Sequence, residues 1–211
     1  MGPLVWGDWA WLVVALVVVT PVAVFVHELG HAFAVKRITG TTPDIHIGRG
    51  GREALRVVAP NFALSVSFAG GLDGGFVRFD MRKVTVRQAM IIAFAGPAAS
   101  FAALVVSVFL LRSTIYGTVG YLLCLAACIS YLGGVLNLIP IVRTDKKTGV
   151  MRRTDGGWIK LFLRLARAGV PLDTPLAVVT DAGRRANHGR PGTSSPPGSA
   201  SPSTSIPPPT R

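Results

Sequence analysis

The stretch VAVFVHELGHAFAV, residues 22–35, places two histidines and a glutamate inside an apolar run that is long enough to cross a bilayer. About 20 apolar residues are needed to span the hydrocarbon core of a membrane. Apart from His27, Glu28 and His31, the chain is uncharged from residue 9 to residue 35. The sequence therefore predicts a first transmembrane helix over about residues 9–35 that carries three ionisable side chains.

The composition also indicates a membrane protein. Half of the 211 residues are hydrophobic and only 15% are charged, whereas soluble domains have about 25% charged residues. The net charge of +12 would also be compatible with a protein that binds nucleic acid. The basic residues, however, flank the apolar segments, which is the pattern of cytoplasmic loops in membrane proteins. We therefore expect a lipid bilayer as the environment and no nucleic acid as a partner.

Two further apolar segments complete the predicted organisation. They run over about residues 88–111 and 115–142 and are rich in Gly, Ala and Ser, which favours close helix packing in lipid. Residues 41–84 instead alternate in a β-like manner, as in DIHIGRGG, FALSVSF and GGFVRFD, with Gly and Pro between the runs. We expect an all-α membrane protein with three transmembrane helices and a small β-like insertion between the first and second spans.

The distribution of Lys and Arg predicts the orientation in the membrane. The loop over residues 36–87 and the segment after the third span are basic, whereas residues 1–10 contain no Lys or Arg. The positive-inside rule then places the N-terminus outside and the C-terminus in the cytoplasm, with the histidines toward the cytoplasmic side. The bias toward Arg, Ala, Val and Gly is typical of a GC-rich bacterium, so we expect a bacterial plasma membrane.

The C-terminal part divides into two segments. The sequence GWIKLFLRLARAGV has helical spacing with basic residues on one face, and it fits either a helix on the membrane surface or a short packing helix. Residues 171–211 lead into a Pro/Ser-rich stretch, which is predicted to be a disordered cytoplasmic tail. The predicted membrane core therefore covers residues 1–170.

The motif HELGH points to metal chemistry. On a helix, His27 and His31 lie on one face and can bind one metal ion, and Glu28 is placed to act as a general base. The signal is specific because the chain contains only four His and two Glu. Ionisable residues inside a membrane span are costly, so a functional role is the default interpretation.

A catalytic metal site has three protein ligands and one open position. The cytoplasmic end of the third span lies level with the motif, so Asp145 and Asp155 both qualify as the third ligand. Other candidates are more remote in the predicted organisation: Asp73 in the loop, His46 in a predicted strand and His188 in the predicted tail.

The chain resembles the site-2 protease family of intramembrane zinc metalloproteases over about residues 20–160. The resemblance rests on HELGH followed by AFAV, GGFVRFD in the loop, FAGPAAS in the second span, and NLIP with a later DGG. It implies a core of three transmembrane helices and one zinc ion per chain. It also implies zinc ligands and catalytic residues, namely His27, His31 and an Asp-Gly aspartate as ligands, Glu28 as the base, and Asn137 as a residue that positions the substrate carbonyl.

The chain departs from the family pattern at two positions. Ser100 stands where the family commonly has an asparagine. The family's Asp-Gly pair usually follows the position of Asn137 by eight residues, but the residue there is Asp145, followed by lysine. The segment RTDKKTGVMRRTDGG predicts an inserted hairpin with Asp145 at its tip and Asp155 where the chain returns. We therefore expect Asp155 to be the third ligand.

The predicted activity is hydrolysis of a peptide bond in or near a transmembrane segment of another membrane protein. The β-like region could receive an unwound substrate as an added strand. One alternative is a metal-binding scaffold that sequesters a partner without cleaving it. Another is a second class of membrane protease that has a glutamate as its third ligand, for which Glu53 is the remaining candidate.

Overall fold

The computed structural model describes residues 6–48, 53–68, 71–72, 74–112, 117–144 and 151–178. Within these residues the chain is mostly helical, with a small sheet and one separate hairpin. The elements in chain order are α1 (Trp6–Thr39), β1 (Asp44–Ile47), β2 (Leu55–Val58), β3 (Ala63–Val66), β4 (Gly75–Arg78), a 3-10 turn (Met81–Lys83), α2 (Val86–Leu111), α3 (Thr118–Leu136), β5 (Val142–Thr144), β6 (Met151–Arg153) and α4 (Asp155–Arg167).

Three of the helices, α1, α2 and α3, are long and apolar enough to cross a membrane. Their positions agree with the three predicted spans, although α3 is shorter than predicted. It ends at Leu136, with Asn137 as its C-cap, whereas the apolar run continues to residue 142. Pro140 explains the early end, because proline disfavours helical backbone at the residue before it.

The three helices pack closely through small residues. A side chain at Gly30 of α1 would meet the Ala95 carbonyl oxygen at 2.5 Å and the Ala99 Cβ at 2.7 Å on α2. Large apolar side chains on the outer faces remain uncovered, as Val17 and Phe109 illustrate at 69% and 78% exposure. Close contacts between small residues inside and apolar surface outside are expected of helices that face lipid.

Strands β1 to β4 form one sheet in the order β2-β3-β1-β4, and they lie between α1 and α2 in the chain. The pair β1–β3 is parallel, whereas β1–β4 and β2–β3 are antiparallel. Ile45 and Ile47 of β1 pack with Ala32 of α1 in a buried cluster. The sheet is therefore held against the half of α1 that carries the histidines.

The predicted hairpin is confirmed in its strands. Strands β5 and β6 are antiparallel, with Val142 opposite Arg153 and Thr144 opposite Met151. Its predicted tip, including Asp145, lies outside the described residues. Thr154 then caps α4, because its hydroxyl accepts a hydrogen bond from the Gly157 N–H at 3.2 Å.

Helix α4 is anchored by one apolar face. Phe162 is buried in a cluster with Val35 of α1 and Val86 of α2. The opposite face of α4 is exposed, so the structure combines a packing helix with a free basic face.

The sequence predicts a disordered tail over residues 171–211, but residues 171–178 pack against the start of α2. Leu176 is buried, and its N–H donates to the Val84 carbonyl at 2.9 Å. The N–H of Val86 likewise donates to the Thr174 carbonyl at 3.0 Å. Apolar residues that precede the Pro/Ser-rich stretch explain this packing, and the rest of the predicted tail lies outside the described residues.

Candidate metal centre

Two histidines from one face of α1 meet an aspartate from the start of α4. The ring centroids of His27 and His31 are 4.9 Å apart, and the rings are nearly perpendicular. The Nε2 atom of His27 lies 3.0 Å from Oδ2 of Asp155, and the Nε2 atom of His31 lies 3.4 Å from Oδ1. One ligand atom from each of the three residues falls within 4.8 Å of the others, so this group could hold a metal ion.

The start of α4 sets the position of Asp155. Strand β6 brings the chain back beside the end of α3, where the Gly156 N–H donates to the Asn137 carbonyl at 3.1 Å. A side chain at Gly156 would collide with the backbone carbonyl of Leu138. Only glycine allows this close approach, so the glycine after the aspartate helps to bring Asp155 to the histidines.

The outer nitrogens of both histidines have partners that leave Nε2 directed at the centre. Nδ1 of His31 donates to the Ile92 carbonyl at 2.6 Å, which requires the proton on Nδ1. Nδ1 of His27 lies 2.9 Å from the hydroxyl of Ser100. Metal-binding histidines usually make such a second contact, which fixes the tautomer that binds the metal. The residues present therefore fit a metal ion.

The contact of Ser100 with His27 was not predicted from the sequence. The sequence showed it only as a departure from the family pattern, in the place of an asparagine. Its side chain is fully buried, and a side chain at Gly134 of α3 would overlap its hydroxyl. Polarity at a helix position that faces α1 was the available signal, but the facing could be read only from the packed structure.

The charge state of Asp155 suits metal binding. Burial disfavours its carboxylate, but the hydrogen bonds and charges of His27 and His31 outweigh this and lower the pKa of Asp155 to about 2. Its place in the first turn of α4 also favours a negative charge, because the helix dipole is positive there. Asp155 is therefore ionised at neutral pH, as a metal ligand must be.

Glu28 is buried beside the group and faces the sheet. A side chain at Gly75 of β4 would come within 2.8 Å of the Glu28 Cγ and 3.1 Å of its Oε1. Within the described part of the chain, no hydrogen bond engages the Glu28 carboxyl. Glu28 therefore lies next to the first histidine of the motif and beside strand β4.

The side chain of Asn137 contacts the carboxylate of Asp155. Its side-chain N–H donates to Oδ2 of Asp155 at 2.5 Å and lies 3.4 Å from Nε2 of His27. The predicted contact of Asn137 with a substrate carbonyl stays a prediction. The geometry adds a contact that orients Asp155.

The other sequence candidates lie elsewhere. His46 is buried in β1, where its ring stacks on Phe76 at 4.8 Å, and it is not part of the group. Glu53 pairs with Arg56 at 3.6 Å on the exposed side of the sheet. Asp73, Asp145 and His188 lie outside the described residues. Asp155 is therefore the acidic residue that joins the histidines in the described part of the chain.

Three helices able to span a membrane surround two buried histidines and a partly buried aspartate, which indicates a membrane protein with a group that could hold a metal ion. The family model described as peptidase family M50 matches residues 13–119. The match covers just over half of the 211 residues, and the chain belongs to this family. Membership indicates a metallopeptidase and an integral membrane protein. Among curated proteins, none matches the chain.

The matched segment includes HELGH, the sheet and α2, and it ends at the start of α3. Asn137 and Asp155 lie beyond it. The assignment of these two residues to the site therefore rests on the geometry described above.

Proposed function

We propose that the protein is a zinc-dependent intramembrane endopeptidase that cleaves peptide bonds in or near transmembrane segments of other membrane proteins. The observation that carries the proposal is the His27–His31–Asp155 group on a membrane helix, with Glu28 beside it. Family membership supports the metallopeptidase class, and the geometry supports the choice of residues.

Zinc is the metal that this donor set suits. Two imidazole nitrogens and one carboxylate oxygen give three protein ligands and leave one position open, as in catalytic zinc sites. A bound zinc ion would polarise the scissile carbonyl and make water a better nucleophile near neutral pH. We propose one zinc ion per chain, held by Nε2 of each histidine and by the Asp155 carboxylate.

Glu28 is proposed to move the proton. Its buried carboxylate would accept a proton from the attacking water and deliver it to the amine nitrogen of the leaving segment. No hydrogen bond within the described residues holds this carboxylate in a structural role. Asn137 is proposed to hold Asp155 through its 2.5 Å contact and to position the substrate carbonyl.

The substrate is proposed to add to the sheet at β4. A transmembrane helix hides its amides in internal hydrogen bonds, so it must unwind before it can be cleaved. Strand β4 is at the edge of the sheet, and among the described strands its one neighbour is β1. Because Gly75 of β4 lies against Glu28, an extended segment added to this edge would pass beside the proposed base.

The proposed orientation follows the distribution of basic residues. We propose a bacterial plasma membrane, with the N-terminus outside, the C-terminus in the cytoplasm and the metal centre toward the cytoplasm. Basic residues at the end of α1, Lys36 and Arg37, support this orientation.

Co-expression with candidate single-span membrane proteins tests the proposed function. Glu28→Gln removes the base but keeps the ligands, so we expect uncleaved substrate to accumulate while zinc and substrate still bind. Glu53→Gln is the matched control, because it makes the same change at an exposed glutamate and should leave cleavage at the wild-type level. If neither the wild type nor Glu28→Gln cleaves while both retain the partner, the protein is a scaffold. If Glu28→Gln cleaves like the wild type, Glu28 is not the base.

A further inference from the structure

A groove of about 510 Å³ lies between α4, the segment after α3 and the side of α2. Three of its nine lining residues are basic, and the other six are apolar or glycine. The residues that matter are the cations Lys160, Arg164 and Arg167 and the apolar residues Phe94, Leu138 and Leu163.

The three cations form one exposed face of α4. Lys160, Arg164 and Arg167 follow a spacing of four and three residues, so they lie on the same side of the helix. All three are exposed. In the described ranges none of them makes an ion pair, and the groove lining contains no acidic residue. Within the described residues, three neighbouring positive charges therefore face the groove without an ion-pair partner.

The apolar part of the groove lining is continuous with the lipid-facing surface. Phe94 belongs to the membrane-spanning part of α2 and is 55% exposed. Leu163 of α4 is 43% exposed on the other side of the groove. Leu138 comes just after the C-cap of α3. The groove therefore runs from a membrane-spanning helix to a basic helix outside the spans.

A second hollow strengthens the basic site. It measures about 290 Å³ and shares Lys160 and Arg164 with the groove. It adds Arg153, whose guanidinium lies over the Trp158 ring at 5.8 Å from the centroid. Lys160 and Arg164 therefore line both hollows. An anionic group in either hollow can contact them.

We propose that this groove binds an anionic phospholipid. The acyl chain would lie against Phe94, Leu138 and Leu163, and the phosphate would contact Lys160 and Arg164. Charge complementarity favours an anion, and the continuity of the apolar part of the lining with the membrane surface favours a lipid over nucleic acid or free phosphate. The proposal concerns α4 and does not depend on proteolysis.

The test measures the binding of fluorescent phosphatidylglycerol to the purified full-length protein in neutral detergent. The double variant Lys160→Gln/Arg164→Gln removes two groove cations. The matched control Arg82→Gln/Lys83→Gln removes two exposed cations from the turn before α2, which is outside the groove. At about fivefold per charge, we expect the groove variant to raise the apparent dissociation constant about 25-fold. The control should bind like the wild type.

Further arms identify the ligand. Phosphatidylcholine should bind much more weakly than phosphatidylglycerol, and neither inorganic phosphate nor an oligonucleotide should displace the labelled lipid. Leu163→Ser should weaken lipid binding, because it removes part of the apolar wall. Equal weakening by both double variants would show general surface attraction and overturn the proposal. Displacement by phosphate or by the oligonucleotide would overturn the choice of a lipid.

Discussion

Ser100→Ala tests whether the hydroxyl on α2 fixes the first histidine for metal binding. The substitution removes the contact at 2.9 Å between Ser100 Oγ and Nδ1 of His27. The position is fully buried, so bulk water cannot replace the hydroxyl. The imidazole then keeps a buried N–H without an acceptor, and its preferred tautomer is lost.

The magnitude can be obtained in two ways. A buried polar group left without its partner costs about 1–3 kcal/mol, which corresponds to a factor of roughly 5 to 150 in affinity. Loss of an outer contact to a metal-binding histidine typically lowers metal affinity about 10–100-fold. The two ranges agree, so we expect Ser100→Ala to weaken zinc binding about 10–100-fold.

The assay is a zinc titration of the purified protein in competition with a chelating dye. Ser107→Ala is the matched control, because Ser107 is also a buried serine of α2, but its hydroxyl donates to the Ala103 carbonyl of its own helix at 2.8 Å. The control should bind zinc like the wild type. If Ser100→Ala and Ser107→Ala bind zinc equally tightly, Ser100 does not position His27.

Three further predictions concern the surroundings of the site. Gly156→Ala presses a methyl group into the Leu138 carbonyl, so metal analysis of the purified protein should show lost zinc. Gly133→Ala, where nothing lies within 4 Å, should keep its zinc, and equal zinc in both variants would refute the close-approach argument. Gly75→Val crowds Glu28, so kcat in a cleavage assay should fall at least about tenfold with zinc content unchanged. An unchanged kcat would show that the contact between β4 and Glu28 does not matter for catalysis. Chelation of the metal should lower Tm, since ligand at 100 times its Kd stabilises a protein by about 2.7 kcal/mol, and an unchanged Tm would contradict binding to the folded state.

The helical part of the fold could be predicted because bilayer thickness selects long apolar runs. The two later spans began and ended close to α2 and α3, except at the end of α3. There the apolar run to residue 142 gave no indication of the helix cap at Asn137 or of the break before Pro140. Hydropathy measures membrane compatibility, whereas the end of a helix depends on backbone geometry at particular residues.

The sheet was harder to predict from sequence. Alternating residues indicated strands between the first two spans, but not their order. Strand β3 pairs with β1 in parallel and with β2 in an antiparallel manner, so a crossover separates sequence neighbours. Such an order depends on contacts across the sheet and with α1, and local patterning does not contain that information.

The site divides in the same way. His27 and His31 could be predicted because helical spacing places them on one face, and Glu28 follows the first of them in the same motif. Asp155 was expected because the family resemblance implies an Asp-Gly aspartate as a ligand and turn residues indicated a hairpin that returns the chain there. The structure brings Asp155 to the two histidines. The contacts of Ser100 and the Ile92 carbonyl with the histidines were not predicted. They depend on which face of α2 meets α1, which only the packed structure defines.

The most direct test of the proposed metal centre compares Asp155→Asn with Asp145→Asn. Both variants are purified, and zinc content and cleavage of a co-expressed membrane substrate are measured beside the wild type. We expect Asp155→Asn to lose zinc and cleavage, because it removes the carboxylate that meets His27 and His31, whereas Asp145→Asn should keep both. If Asp155→Asn keeps its zinc and activity while Asp145→Asn loses them, the proposed metal centre is wrong.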